Sequence, residues 1–300
     1  MYDIIVIGGG VSGMTSALYA LRNGKKVLLI EGSSIGGQIA QSPKVENYPT
    51  YKEISGPKLS EDLFEQITSL GVEFEFDNIL AIEKDDNFKV QGEFNNYESK
   101  AVIIANGVKH RKLRLPNEED LIGKGVYYCA LCDGPFYTGK EVTLIGDGNT
   151  ALQYALLLSD ICKKVNLVIM FDKFFGDDNL VKAVEKRENI VIIKNSKTIE
   201  LIGKDELQGV KFEKNNGETF VIENTPLFVA IGQIPDNAKF ANLADLTKDG
   251  YFDSDETTTT RTPGLFVAGD TRRKGVRQVT TAISDGAVAG TSACNYINTL

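Results

Sequence analysis

Residues 2–32, YDIIVIGGGVSGMTSALYALRNGKKVLLIEG, constrain the fold more than any other stretch of the chain. An apolar strand to Ile7 runs into Gly8, Gly10 and Gly13, then into an apolar-faced helix and a second strand ending at Glu31. Glycines at this spacing permit a tight turn, close approach to a pyrophosphate and close packing of helix on strand. The helix start adds unpaired N–H groups. Glu31 falls where a carboxylate accepts ribose hydroxyls. A glycine triplet alone could be only a packing turn; with both strands and the placed acid, it reads as a dinucleotide site.

The same pattern returns later. Val142 to Ile169 repeats strand, glycine turn, helix and strand, and the distance from first glycine to strand end is 23 residues in both copies, Gly8 to Glu31 and Gly146 to Ile169. Between the copies, residues 32–51 read as a loop rich in Gly, Ser and Pro, and residues 109–125 are charged and broken by Pro116. A strand at PLFVAIGQIPD closes the second unit. A polar return over residues 246–264 leads to a last strand, a Gly269-Asp270 turn and a helix of small residues that permit close approach. These signals predict an α/β chain of two Rossmann-like units.

With 300 residues the chain is long enough for two domains of ordinary size. A formal charge of -8 gives no sign of a nucleic-acid binder, and there is no apolar run of membrane-spanning length. The first residues enter a strand without a basic leader, so a cytoplasmic protein is expected.

Of four cysteines, only Cys129 and Cys132 are close, in GVYYCALCDGPFY. That spacing allows a small disulfide loop in which one thiolate attacks a partner disulfide and the other resolves the mixed disulfide. Asp133 could hold or transfer a proton beside them. Half a zinc site or inert buried thiols are the alternatives, although the chain has no second close cysteine pair and only His110 as a histidine. Cys162 and Cys294 read as packing residues. Two basic runs, one from Lys109 to Arg114 around His110 and one of Arg272, Arg273, Lys274 and Arg277, are solvated faces or docking sites for an acidic partner.

Taken together, GGGVSG, GGQI, ENYP, CALCDG, GDGNTA and GLFVAGDTRRKGVRQVTTAISDGA closely resemble the low-molecular-weight thioredoxin reductases, in order and spacing across almost the whole chain. The resemblance implies two three-layer nucleotide-binding domains of the FAD/NAD(P)-linked disulfide reductase type, the second inserted in the first. It implies an FAD domain over residues 1–116 and 248–300, an inserted redox domain over 117–247, a homodimer, bound FAD and thioredoxin as partner. By the same resemblance Gly8, Gly10 and Gly13 lie under the pyrophosphate and Glu31 at the adenosine ribose. Gly37, Gln38 and Asn47 would line the flavin region. Gly269 and Asp270 would reach the ribityl and phosphate region, and Arg277, Gln278 and Val279 the ring. Asn106 stands in Ala105-Asn106-Gly107 where the family usually has Ala-Thr-Gly. Cys132, beside Asp133, would exchange electrons with the flavin, and Cys129 would attack thioredoxin.

The second glycine turn departs from that family. NADPH-dependent relatives usually carry His-Arg-Arg with a further Arg beyond it, and here the run is Ile169, Met170, Phe171, Asp172, Lys173, Phe174, Phe175. No arginine remains to grip a 2′-phosphate, and Ile169 replaces the acid that an NAD site would use. This pattern resembles the ferredoxin-dependent flavin thioredoxin reductases, which makes reduced ferredoxin the expected electron donor. A rewired NADPH or NADH pocket is the alternative, and a flavin redox sensor without turnover a further one.

Overall fold

The structure, a computed structural model, describes residues 1–42 and 45–300. Pro43 and Lys44, within the expected loop, lie outside the described residues. The chain folds as two compact units, Met1–Lys109 with Ile234–Leu300, and His110–Gln233 inserted between them. The change of unit falls at 110 and 233, against an expectation of 117 and 247.

The first unit is built on a sheet in the order Glu73–Phe76, Val27–Glu31, Tyr2–Ile7, Asn96–Ile104, Phe88–Gly92, Ile79–Lys84, with a further strand, Leu265–Val267, also paired to Asn96–Ile104. Its strands are β1 (Tyr2–Ile7), β2 (Val27–Glu31), β3 (Glu73–Phe76), β4 (Ile79–Lys84), β5 (Phe88–Gly92) and β6 (Asn96–Ile104). The three strands β1, β2 and β6 run parallel, and Ile4, Ile5, Val6, Leu28, Leu29, Val102 and Ile103 are buried on both faces, as an unbroken apolar run requires. Helix α1 (Val11–Arg22) starts directly after the glycine turn. It packs against the final helix, Val279–Ile297, closely enough that a Cβ on Gly286 would lie 2.4 Å from the Ser12 carbonyl oxygen, and one on Gly290 2.6 Å from that of Ser16. The small residues of the last helix are there to let it come that near.

The second unit repeats the plan. Its parallel sheet runs Ile190–Ile193, Lys164–Val168, Glu141–Ile145, Leu227–Val229, Val126–Tyr127, and helix Asn149–Ile161 follows the glycine turn. Three antiparallel strands, Ser196–Ile202, Gly209–Lys214 and Thr219–Glu223, form its third layer. Both units are therefore Rossmann-like. No helix among the described residues is long and apolar enough to cross a membrane.

The expected polar return is more deeply built in than its composition suggests, with Phe252, Ser254 and Thr258 buried. Beside it lies a buried ionic cluster. Arg272 makes two bonds to Asp285, Nε–Oδ2 at 2.8 Å and Nη2–Oδ1 at 2.7 Å, and Lys274 Nζ approaches Asp285 Oδ2 at 2.8 Å. The backbone N–H of Gly269 donates to the same oxygen at 3.0 Å, so the cluster fixes the turn after the last strand. Arg272 is 4% exposed and Asp285 5%. Asp285→Ala should destabilise the protein by roughly 3–5 kcal/mol, because two cations would then be buried without their counter-charge; urea unfolding checks this. Burial pushes the Asp285 carboxyl up, but Arg272 and Lys274 together hold it below its ordinary 3.8. The depressed value means that this stabilisation is present above that pH and is lost as pH falls further, an acid sensitivity that Asp285→Ala should remove.

Candidate active site

Strand Val126–Tyr127 delivers the chain to the cysteine pair. Cys129 and Cys132 form a disulfide with Cα atoms 5.3 Å apart. Cys129 caps the short helix Ala130–Asp133, its Sγ accepting from the Cys132 backbone N–H at 3.1 Å. In the dithiol that N–H would face a thiolate and favour it. Asp133 N donates back to the Cys129 carbonyl at 2.9 Å, closing the turn. The Asp133 carboxyl is 7% exposed, and burial pushes it up to about 7. A carboxyl in that range holds a proton at neutral pH and can give it up. Around the pair, the Tyr127 and Tyr137 hydroxyls share a hydrogen bond of 2.7 Å and both rings pack on Phe228. Cys162 and Cys294 are buried free thiols in the two cores.

In the first unit the expected cofactor residues gather at the carboxyl ends of neighbouring strands. Gly8 has a φ of 110°, and its Cβ would lie 2.3 Å from the Ala105 carbonyl oxygen; one on Gly13 would lie 1.8 Å from that of Gly8. Glu31 accepts from Gly9 N at 2.6 Å and from Ser33 N at 2.8 Å, which holds its carboxylate beside the turn. Gly10 forms a bridge with Gly36, next to Gly37 and Gln38, and Gln38 donates to the Val108 carbonyl. Asn47 donates to Gln278 Oε1 at 3.0 Å, and Gln278 and Val279 open the last helix. Arg277 lies over the Tyr251 ring at 4.2 Å and donates to the Asp270 carbonyl. Asn106 follows β6 and Asp270 the adjacent last strand; Asn106 Oδ1 and Asp270 Oδ1 are both buried with no partner among the described residues. Burial also raises the Asp270 carboxyl.

The second unit keeps the turn with different side chains at the strand end. Gly146, with φ 142°, would place a Cβ 2.3 Å from the Ala230 carbonyl oxygen, the counterpart of Gly8 against Ala105. The bridge between Gly148 and Phe175 matches that between Gly10 and Gly36. Ile169 is buried, whereas Met170, Phe171 and Phe175 are 50%, 46% and 57% exposed, with the two rings edge-on at 5.2 Å. Phe171 borders shallow grooves that also hold Lys194, Lys197, Lys214 and Asn215.

The second basic run presents less charge at the surface than it reads. Arg272 and Lys274 are spent inside the ionic cluster with Asp285, Arg277 is turned onto Tyr251, and Arg273 pairs with Asp253 at 3.2 Å. Charge counted along the sequence could not reveal this, because the neutralising acids are distant in sequence. In the first run, Lys112 pairs with Glu119, and His110 tilts against the Tyr128 ring at 5.1 Å. Burial, with Lys112 nearby, lowers His110 to about 4, so it adds no charge at neutral pH. The run is less basic than it reads.

The family described as pyridine nucleotide-disulphide oxidoreductase matches residues 2–286. A 34.2 kDa protein in the rubredoxin operon of Clostridium pasteurianum is 37% identical over 298 residues, covering 98% of this chain and 97% of its own. Thioredoxin reductase of Listeria monocytogenes is 36% identical, covering 100% of this chain and 95% of its own. Among solved structures, thioredoxin reductase of Streptococcus pyogenes superposes with a TM-score of 0.95 at 35% identity, covering 100% of this chain and 99% of that one.

The first unit fits the FAD that the resemblance implies. Gly8 and Gly13 leave no room for side chains against the neighbouring backbone, Gly10 opens onto free space at the helix start where a pyrophosphate would come close, and two buried side-chain oxygens await donors at neighbouring strand ends. Asp270→Ala tests the fit. A lost hydrogen bond of roughly 1–3 kcal/mol should weaken flavin binding about tenfold or more. The flavin-free protein should melt no lower than the parent, because the unmatched group is gone. Visible absorbance per chain and thermal melting with and without added FAD read the two effects.

Proposed function

The chain belongs to the pyridine nucleotide-disulphide oxidoreductase family, in its low-molecular-weight thioredoxin reductase branch, and we propose on that premise that it reduces the thioredoxin disulfide with electrons from reduced ferredoxin. The disulfide half of the reading is supported by Cys129 and Cys132 in one turn beside a buried Asp133. The donor half rests on one observation, the run Ile169 to Phe175, which has no arginine for a 2′-phosphate and the apolar Ile169 in place of a ribose-binding acid, its one cation, Lys173, standing beside Asp172 and over the Phe175 ring. The proposal includes a homodimer and a cytoplasmic setting, as expected from the sequence.

FAD, when bound, supplies a two-electron store that can be filled one electron at a time. Gly8, Gly10 and Gly13 would hold its pyrophosphate, Glu31 its adenosine ribose, and Gly269 and Asp270 its ribityl and phosphate region with Asn106 beside them, with Gly37, Gln38, Asn47, Arg277, Gln278 and Val279 lining the flavin. In the dithiol form of the pair, the Cys129 thiolate attacks one sulfur of the thioredoxin disulfide. A Cys129–thioredoxin disulfide forms, the thioredoxin S–S bond breaks, and the sulfur released takes a proton. The Cys132 thiolate then attacks Cys129 Sγ, forming the Cys129–Cys132 disulfide and freeing the second thioredoxin thiol. Asp133 holds the proton that these sulfurs exchange, and Cys132 N–H steadies Cys129 Sγ.

A second reading is favoured by the intact turn at Gly146 and Gly148 and by Lys194, Lys197 and Lys214 around Phe171: a nicotinamide site that grips phosphate from a different side. Anaerobic mixing of the oxidised enzyme with reduced ferredoxin, NADPH or NADH separates the two. Flavin bleaching is expected with ferredoxin alone, and fast, saturable bleaching by NADPH coupled to thioredoxin turnover would sink the donor proposal. Cys129→Ser should abolish thioredoxin turnover while flavin reduction by the donor survives. Because the acid form of Asp133 is lost as pH rises through about 7, wild-type turnover should fall on the alkaline side of that value. Asp133→Asn should flatten this limb and lower turnover about a hundredfold, a typical contribution of a positioned acid.

A further inference from the structure

Tyr128 immediately precedes Cys129, and its surroundings are more elaborate than packing requires. Alternation along the strand sends Tyr127 to the core that holds Phe228 and Tyr128 to the core that holds Leu121 and Phe212. There the Tyr128 hydroxyl donates to Glu118 Oε1. Glu118 is 3% exposed, and its carboxylate also accepts from Leu113 N at 2.9 Å and Arg114 N at 2.8 Å. The loop supplying those donors is held in a bent form, with Arg114 and Asn117 in the left-handed region at φ 60° and 57°. Asn117 Nδ2 ties it to the Gly203 carbonyl at 2.7 Å. Lys112 Nζ lies 5.1 Å from the centre of the Tyr128 ring, and His110 tilts against the same ring. The Tyr128 phenol is raised by burial and by Glu118, so it stays a donor across the physiological range.

A buried carboxylate with three donors is a fixed point, and a ring enclosed by His110 and Lys112 cannot change rotamer without breaking that point. The backbone from Tyr128 into Cys129 is thereby held at one end of the redox turn, while the Tyr127–Tyr137 hydroxyl pair and the Asp133 N to Cys129 O bond hold the rest. We propose that Glu118 and Tyr128 are positioning residues for Cys129, keeping its Sγ against the Cys132 N–H so that the reduced pair presents a stabilised thiolate at position 129. The inference rests on the thioredoxin-disulfide reading only for what that thiolate attacks.

The test uses the full-length, flavin-loaded enzyme reduced with dithiothreitol and desalted, with iodoacetamide as probe and Cys129 labelling followed by peptide mass across pH. Tyr128→Phe, which keeps the ring, should slow Cys129 alkylation at neutral pH about threefold or more and move its pH midpoint up by about half a unit. Glu118→Gln should shift the profile in the same direction. Melting temperature and flavin content, measured alongside, identify a variant that has merely lost its fold, and the other variant then decides. Wild-type alkylation profiles in a folded variant would overturn the proposal. Thioredoxin turnover of the parent is assayed separately: its absence beside a shifted profile would remove the functional reading and leave the positioning role standing.

Discussion

The fold depends on volume that is left empty. A side chain on Gly8 would strike the end of β6 at Ala105, and one on Gly13 would strike Gly8 itself, so β1, β6 and the start of α1 can meet only because neither residue has a Cβ. The same exclusion operates at Gly146 against Ala230, and at Gly286 and Gly290 against α1. Close approach of backbone to backbone is what turns the helix start towards a possible phosphate. It also aligns the strand ends that carry Asn106 and Asp270. Losing that space would separate the elements before it altered any hydrogen bond.

Around this scaffold, charge is used in two ways. Asp285 neutralises Arg272 and Lys274 inside the protein and secures the Gly269 turn, a cluster whose worth is mainly to fix geometry. Asp133 and Asp270 are buried carboxyls raised by burial, which at Asp270 outweighs the nearby Lys274 and Arg277, and raised acids mark places where chemistry or a ligand is expected. The two sets are told apart by partners: the structural acid is saturated, whereas Asp270 keeps an unmatched oxygen.

The two units contrast in what they retain. Backbone geometry is shared down to the bridge after the second strand, Gly10 with Gly36 and Gly148 with Phe175. Side chains at the strand ends are not: Glu31 is held beside its turn by Gly9 and Ser33, while Ile169 is buried and followed by exposed rings. Glycine is needed at such a turn for the fold itself, so the turn alone does not specify what the strand end beside it recognises.

Much of this was legible in the linear sequence. Strand periodicity, the glycine spacing, the 23-residue repeat and the Cys129–Cys132 interval depend on neighbours a few residues away, so the two Rossmann-like units and the redox turn could be read directly. The run Ile169 to Phe175 was equally plain, since the absence of arginine needs no structure to be seen. What the tertiary structure decided was the fate of charges and rings whose partners lie far along the chain. Arg272 and Lys274 read as a basic surface until Asp285 buried them, His110 read as part of another until Tyr128 took its ring, and Glu118 carried no signal at all until the fold set it under Tyr128. Local chemistry fixes which backbone a segment adopts, but the desolvation and pairing of a charged group are set by everything folded around it.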